Sequence, residues 1–167
     1  MDIQKELIAE YDRETARTRK ILEAIPADAD LNFKPHPKSM AMGILAGHIC
    51  DMAGDWAITT LTQEKLEYPA DHKWEPYVPA NKQAVLDKFD SKLSEAKKAL
   101  AATAAEKWDQ NWKLIFGGQT WIDQPRYQVF REMVVNHMVH HRAQLGVYLR
   151  LLNAKVPGLY GPSADEM

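Results

Sequence analysis

Cysteine is almost absent from this chain of 167 residues: Cys50 stands alone, which excludes an internal disulfide framework and any cysteine-rich zinc site. Long apolar runs are missing as well, and nothing approaches the roughly 20 residues that span a bilayer. Residues 1–7, M-D-I-Q-K-E-L, place acids where a signal peptide needs a basic and then an apolar region, so a cytoplasmic, soluble protein with no membrane partner is expected. There is no basic tract either. The 21 Lys and Arg are spread along the chain, the net charge is -2 and the pI about 6.3, so no nucleic-acid partner is expected.

What remains is one domain, 1–167, large enough to bury roughly 68–70% of its unfolded surface. Four stretches have helical periodicity. In Asp2 to Ile25 the apolar stripe runs Ile3, Leu7, Tyr11, Thr18, Leu22 and Ile25. It turns polar at Glu14 and Thr15, which reads as a shallow contact rather than a polar pocket. After the proline-containing connector Pro26 to Lys38, Ser39 is the expected N-cap of a second helix with Leu45, His48, Ile49, Met52 and Trp56 inward. Asp51 and Asp55 read as a solvated face.

A second connector, Glu67 to Ala80, again holds three prolines and cannot be helical throughout. Asn81 is the expected cap of a third helix with Leu86, Phe89, Leu93, Ala96 and Leu100 inward. Thr103 to Asp123 carries Trp108, Trp112, Trp121 and the Gly117-Gly118 pair, predicting an ordered excursion over one end of the core with short strands at most. Asp123 is the expected cap of a fourth helix, with Pro125 in its first turn and an end near Asn153. Connections this long predict an all-α four-helix bundle with long crossovers.

The fourth helix carries N-H-M-V-H-H-R-A-Q-L, Asn136 to Leu145, in which three of the six histidines fall within five residues. On a helix, residues four apart share a face, so His137 and His141 can aim both rings at one point. The position after His137 is Met138, where the HExxH proteases carry their glutamate base, so that chemistry is excluded. Phe130, Met133, His137, Gln144, Tyr148 and Leu151 read as the inward seam, which turns the pair toward the core and toward His48. Three imidazoles without a carboxylate suit a divalent metal, zinc or nickel, with an open position. A di-iron carboxylate site lacks its Glu-x-x-His pairs. His140 competes with His141, whose spacing from His137 is better eclipsed, and is assigned with Gln144 to a supporting role around the ligands. His36 and His72 fall in connectors and are left out of the site, and Cys50 reads as a small buried or boundary residue.

G-H-I in the second helix, N-H-x-x-H-H-R-x-Q in the fourth, the connector I-P-A-D-x-D-L-x-F-K-P-H-P-K-S-M and the ending V-P-G-L-Y-G-P-S-A-D-E together resemble the DinB-like metalloprotein superfamily over nearly the whole chain. The resemblance implies a four-helix bundle, often homodimeric, holding a divalent metal on His48, His137 and His141. Glycine commonly follows the arginine in that family, where this chain has Ala143. Characterised members include metal-dependent transferases that join bacillithiol, mycothiol or glutathione to an electrophile. The expectation is therefore a thiol S-transferase-like enzyme acting on a small molecule. The alternatives are a non-catalytic, metal-stabilised, stress-linked binding protein and a metal-assisted hydrolase.

Overall fold

The computed structural model describes residues 2–167. Helix α1 spans Ile3–Glu23 and is capped by Asp2, whose Oδ1 accepts from the Lys5 amide at 3.2 Å. Helix α2 runs over 42–62, α3 over Lys82–Ala102 and α4 over 126–151. Asn81 caps α3 through its side chain at 3.0 Å, as its residue type predicts. Ser39 does not cap α2. The carbonyls of Leu31 and Phe33 accept from the Gly43 and Met42 amides at 2.8 and 3.0 Å, so the connector's own backbone satisfies the first donors of the helix.

The helices pack as a ring in which α1 and α2 each touch both α3 and α4. Pairings such as Glu10 with Arg131 and Thr18 with Arg142 make α1 and α4 parallel, while Cys50 with Val85 and Asp55 with Lys92 make α2 and α3 parallel. Long crossovers allow this arrangement, because a short turn can join only antiparallel neighbours. The core divides into two clusters. One gathers Ile21, Leu22, Met42, Leu45, Ile49, Phe89, Met138 and Leu145, and the other Leu7, Tyr11, Leu61, Trp108, Phe130 and Val134.

The fold is mainly helical, with one small addition. Strands β1 (Lys65–Tyr68), β2 (Asn111–Phe116) and β3 (Gln119–Pro125) form a sheet in that order, β1 parallel and β3 antiparallel to β2. Its hairpin turns on Gly117 and Gly118, both at positive φ (56° and 79°). This corrects the expected start of the fourth helix: Asp123 and Pro125 lie in β3, and α4 begins at Arg126. The fully buried guanidinium of Arg126 donates to the carbonyls of Thr60 and Gln63 near the end of α2.

Both α2 and α4 widen into π-helical turns, at Met52–Trp56 and Phe130–Asn136, and these two segments pack against each other. A π turn advances more residues per revolution than 3.6, so one helical period cannot be carried across it. That is why the expected seam of α4 holds at Phe130 and Tyr148 but fails at Gln144 and Leu151, which are exposed. The buried face is Phe130, Val134, Met138, His141, Leu145 and Leu149.

Candidate metal centre

His48 projects from the first half of α2, while His137 stands at the junction where the π turn of α4 returns to α-helix and His141 follows one turn later. Because α2 and α4 are antiparallel neighbours, the three rings meet. Centroids lie 5.2 Å apart for His48 and His137, 4.6 Å for His48 and His141, and 4.7 Å for His137 and His141. Each residue offers one ring nitrogen to a group whose members all lie within 4.8 Å of one another. His141 is buried and the other two are half-buried.

Burial sets the protonation of the cluster. Desolvation, with a smaller repulsion from His141, lowers the His48 pKa to about 4; desolvation and its histidine neighbours bring His137 to about 4 as well. His141 is also lowered by desolvation, against the opposing hydrogen bond from Gln144. The rings are therefore neutral at pH 7, the form in which imidazole ligates a metal.

The hydrogen bonds then assign tautomers. Gln144 Oε1 lies 2.8 Å from His141 Nδ1, so Nδ1 carries the proton and Nε2 presents its lone pair. That lone pair faces His137 Nε2 at 2.9 Å, which must donate. The other nitrogen, His137 Nδ1, is left buried without a hydrogen-bond partner, the Met133 backbone favouring its charged form only weakly. A buried orphan of this kind costs about 1–3 kcal/mol.

A metal removes the conflict. Moving the His137 proton from Nε2 to Nδ1 aims it toward the Met133 backbone and frees the second Nε2 as a ligand. Tetrahedral zinc with bonds of about 2.0–2.1 Å holds its ligand atoms roughly 3.3 Å apart, slightly wider than the 2.9 Å between the two Nε2 atoms. The donor set is all imidazole, with no cysteine or carboxylate in the group. The residues fit a divalent ion of intermediate softness.

His140 is exposed and outside this group, its ring 4.9 Å from that of His141. Exposed His36 accepts from the Lys38 amide, and His72 stacks on Tyr68. An open cavity of about 430 Å³, lined by Lys38, Ser39, Met40, Gln144, Val147 and Tyr148, shares Gln144 with the triad.

The residue after His141 opens a second polar cluster that the sequence reading missed. Arg142, almost fully buried, donates to the Glu14 carboxylate at 2.7 Å, the Glu14 carbonyl at 2.9 Å, Thr18 Oγ1 at 3.2 Å and Tyr160 Oη at 2.6 Å. The polar break at Glu14 and Thr15 is thus a buried pocket, not a shallow contact. The signal was present in the pairing of that break with an arginine on the histidine helix. Tyr160 closes the cluster from the tail, its hydroxyl donating to Glu14 at 2.7 Å, and so pins the ending over α1.

The DinB family matches residues 1–167. The uncharacterized protein YrdA of Bacillus subtilis (strain 168) is 26% identical over 160 residues, covering 93% of this chain and 87% of its own length. The crystal structure of a DinB-like protein from Bacillus cereus ATCC 10987 superposes with a TM-score of 0.70 at 20% identity, covering 93% of this chain and 97% of the other. That likeness concerns the fold.

Proposed function

The chain belongs to the DinB family, and from that premise we propose that it holds a divalent metal on His48, His137 and His141 to activate a low-molecular-weight thiol for transfer to an electrophile. The observation that carries this reading is the convergence of three neutral imidazoles from two helices within 4.8 Å, with an orphaned ring nitrogen that ligation would relieve. A bound zinc or nickel ion supplies the positive charge that brings a thiol's pKa into the neutral range and holds its sulfur in place.

The thiol comes from outside the chain. Cys50 is fully buried, and burial pushes its thiol up to about 12, so the protein's own sulfur is neither accessible nor ionised. Gln144 keeps His141 in the tautomer whose Nε2 faces the centre, and the cavity beside it has room for a small co-substrate. In the transfer, sulfur forms a bond to the electrophilic carbon, the leaving group departs with its electron pair, and the thiol proton passes to solvent.

The test is thiol consumption by zinc- or nickel-loaded protein with glutathione or bacillithiol and 1-chloro-2,4-dinitrobenzene. Consumption that chelator abolishes and metal restores is expected. No chelator-sensitive consumption with either thiol sinks the catalytic half of the proposal.

A second reading keeps the metal without turnover, as a tie between α2 and α4 in a binding protein. The absence of a carboxylate from the triad, among the described residues, favours it over hydrolysis, which needs a general base. Chelator would then lower the melting temperature while thiol consumption stayed at the uncatalysed rate.

A further inference from the structure

Further along α2, a separate cavity of about 180 Å³ forms where Asp51, Asp55 and Trp56 meet Tyr68 of β1 and Trp74 and Glu75 of the following loop. None of these residues belongs to the histidine triad. Two of the rings, Tyr68 and Trp74, stand 5.6 Å apart at an interplanar angle of 68°, as adjoining walls of a corner do. His72 stacks on Tyr68 at 4.2 Å and 28° and meets Trp74 edge-on at 5.7 Å, so both rings are braced. Trp74 is nonetheless 53% exposed. A large ring left half in water gains free energy when a ligand covers it.

The charge around these rings is negative. Lys88 pairs with Asp51 at 2.5 Å and Lys92 with Asp55 at 3.3 Å, whereas Glu75 has no ion pair among the described residues. Three carboxylates therefore meet two ammonium groups, leaving one negative charge for a ligand. Outside the cavity's lining, the loop that carries Trp74 already displays the chemistry that could use it: the Lys88 ammonium, besides its contact with Asp51, lies 4.1 Å from the centroid of the Tyr77 ring. Aromatic faces attract cations through their quadrupole, most of all cations that shed water readily. A neutral ligand would leave the carboxylates unused, and a small hydrated metal ion would leave the rings unused. The volume admits only a compact group.

We propose that this cavity binds a small organic cation with an alkylated ammonium head, covered by Trp74 and Tyr68 and paired with Glu75. It is independent of the metal centre. The probe is choline chloride, titrated calorimetrically into the full-length protein at constant ionic strength, with 3,3-dimethylbutan-1-ol as the neutral isostere. Saturable one-to-one binding of choline is expected, with the isostere at least tenfold weaker. Trp74→Ala and Glu75→Gln should each weaken choline by roughly three- to thirtyfold, with metal content and circular dichroism unchanged. No saturable binding, equal binding of choline and the isostere, or full affinity in Trp74→Ala would each overturn the assignment. Because the triad plays no part in these measurements, their outcome does not depend on the thiol-transfer reading.

Discussion

Gln144 Oε1 accepts the Nδ1 proton of His141 across 2.8 Å, one turn further along the same helix. In the proposed metal site this bond would orient a ligand without touching the ion, and outer partners of this kind affect metal affinity by about 10–100-fold. Gln144→Ala should therefore weaken zinc binding by a factor in that range, measured by competition with a chromogenic chelator. Because Gln144 is exposed, its replacement should leave the melting temperature of the metal-free protein within about 2 °C, a surface change being worth no more than ~0.5 kcal/mol. Unchanged zinc affinity would remove Gln144 from the site.

His141→Ala should abolish stoichiometric metal in the purified protein while helical circular dichroism persists. His140→Ala should keep its metal, since the exposed ring lies outside the converging group. Elemental analysis of both variants decides the matter, and the reverse pattern would transfer the ligand role to His140.

The Glu14 and Arg142 pair predicts an acid-sensitive fold. Burial raises the Glu14 carboxyl, but hydrogen bonds from Tyr160 and Arg142, the Arg142 charge and Arg17 outweigh it and leave the pKa below the ordinary value. A carboxyl with a lower pKa folded than unfolded contributes stability in full above the unfolded pKa, about 4.3. That contribution disappears as pH falls through the folded value. Urea midpoints measured from pH 7 to pH 3 should fall more steeply for the wild type than for Glu14→Gln. Parallel profiles would show that the pair contributes nothing to acid sensitivity.

Removing Arg142 leaves Glu14 with Arg17 and Tyr160, so the cost is at or below the lower end of the roughly 3–5 kcal/mol that an unmatched buried charge would bring. Arg142→Ala should lose stability on that scale, and Tyr160→Phe about 1 kcal/mol for one hydrogen bond. Denaturant titration of metal-free protein separates these effects from ligation. A loss below about 1 kcal/mol in Arg142→Ala would contradict the burial of the pair.

Gly47 stands immediately before His48, where a Cβ would lie 2.6 Å from the Tyr77 carbonyl oxygen. Gly47→Ala must move the connecting loop or the helix, so a loss of about 1–3 kcal/mol is expected. Wild-type stability in that variant, again by denaturant titration, would mean that the loop packs less closely on α2.

Local chemistry made much of this protein legible before any coordinates. The stripes of α1 and α3, the Asn81 cap and the proline-containing connectors follow from side-chain period and backbone restriction, which act over a few residues. The i, i+4 spacing of His137 and His141 belongs to the same class of information. Ser39 and Asp123 misled because residue type shows only that a side chain can cap. The backbone carbonyls of Leu31 and Phe33 take that role at α2, and those of Gln110 and Trp108 at α4, from outside each helix.

Tertiary structure alone decided the rest. The meeting of His48 with the pair on α4 requires α2 and α4 to be antiparallel neighbours, and connectors of this length permit several arrangements. The π turns shifted the buried face of α4 past Gln144 and Leu151. The burial of Arg142 depended on α1 lying parallel to α4 and on the tail returning to place Tyr160 beside Glu14. The physical reason is one of range: periodicity and capping are set by neighbours along the chain, whereas desolvation, charge pairing and the convergence of ligands are set by groups brought together only when the chain is packed.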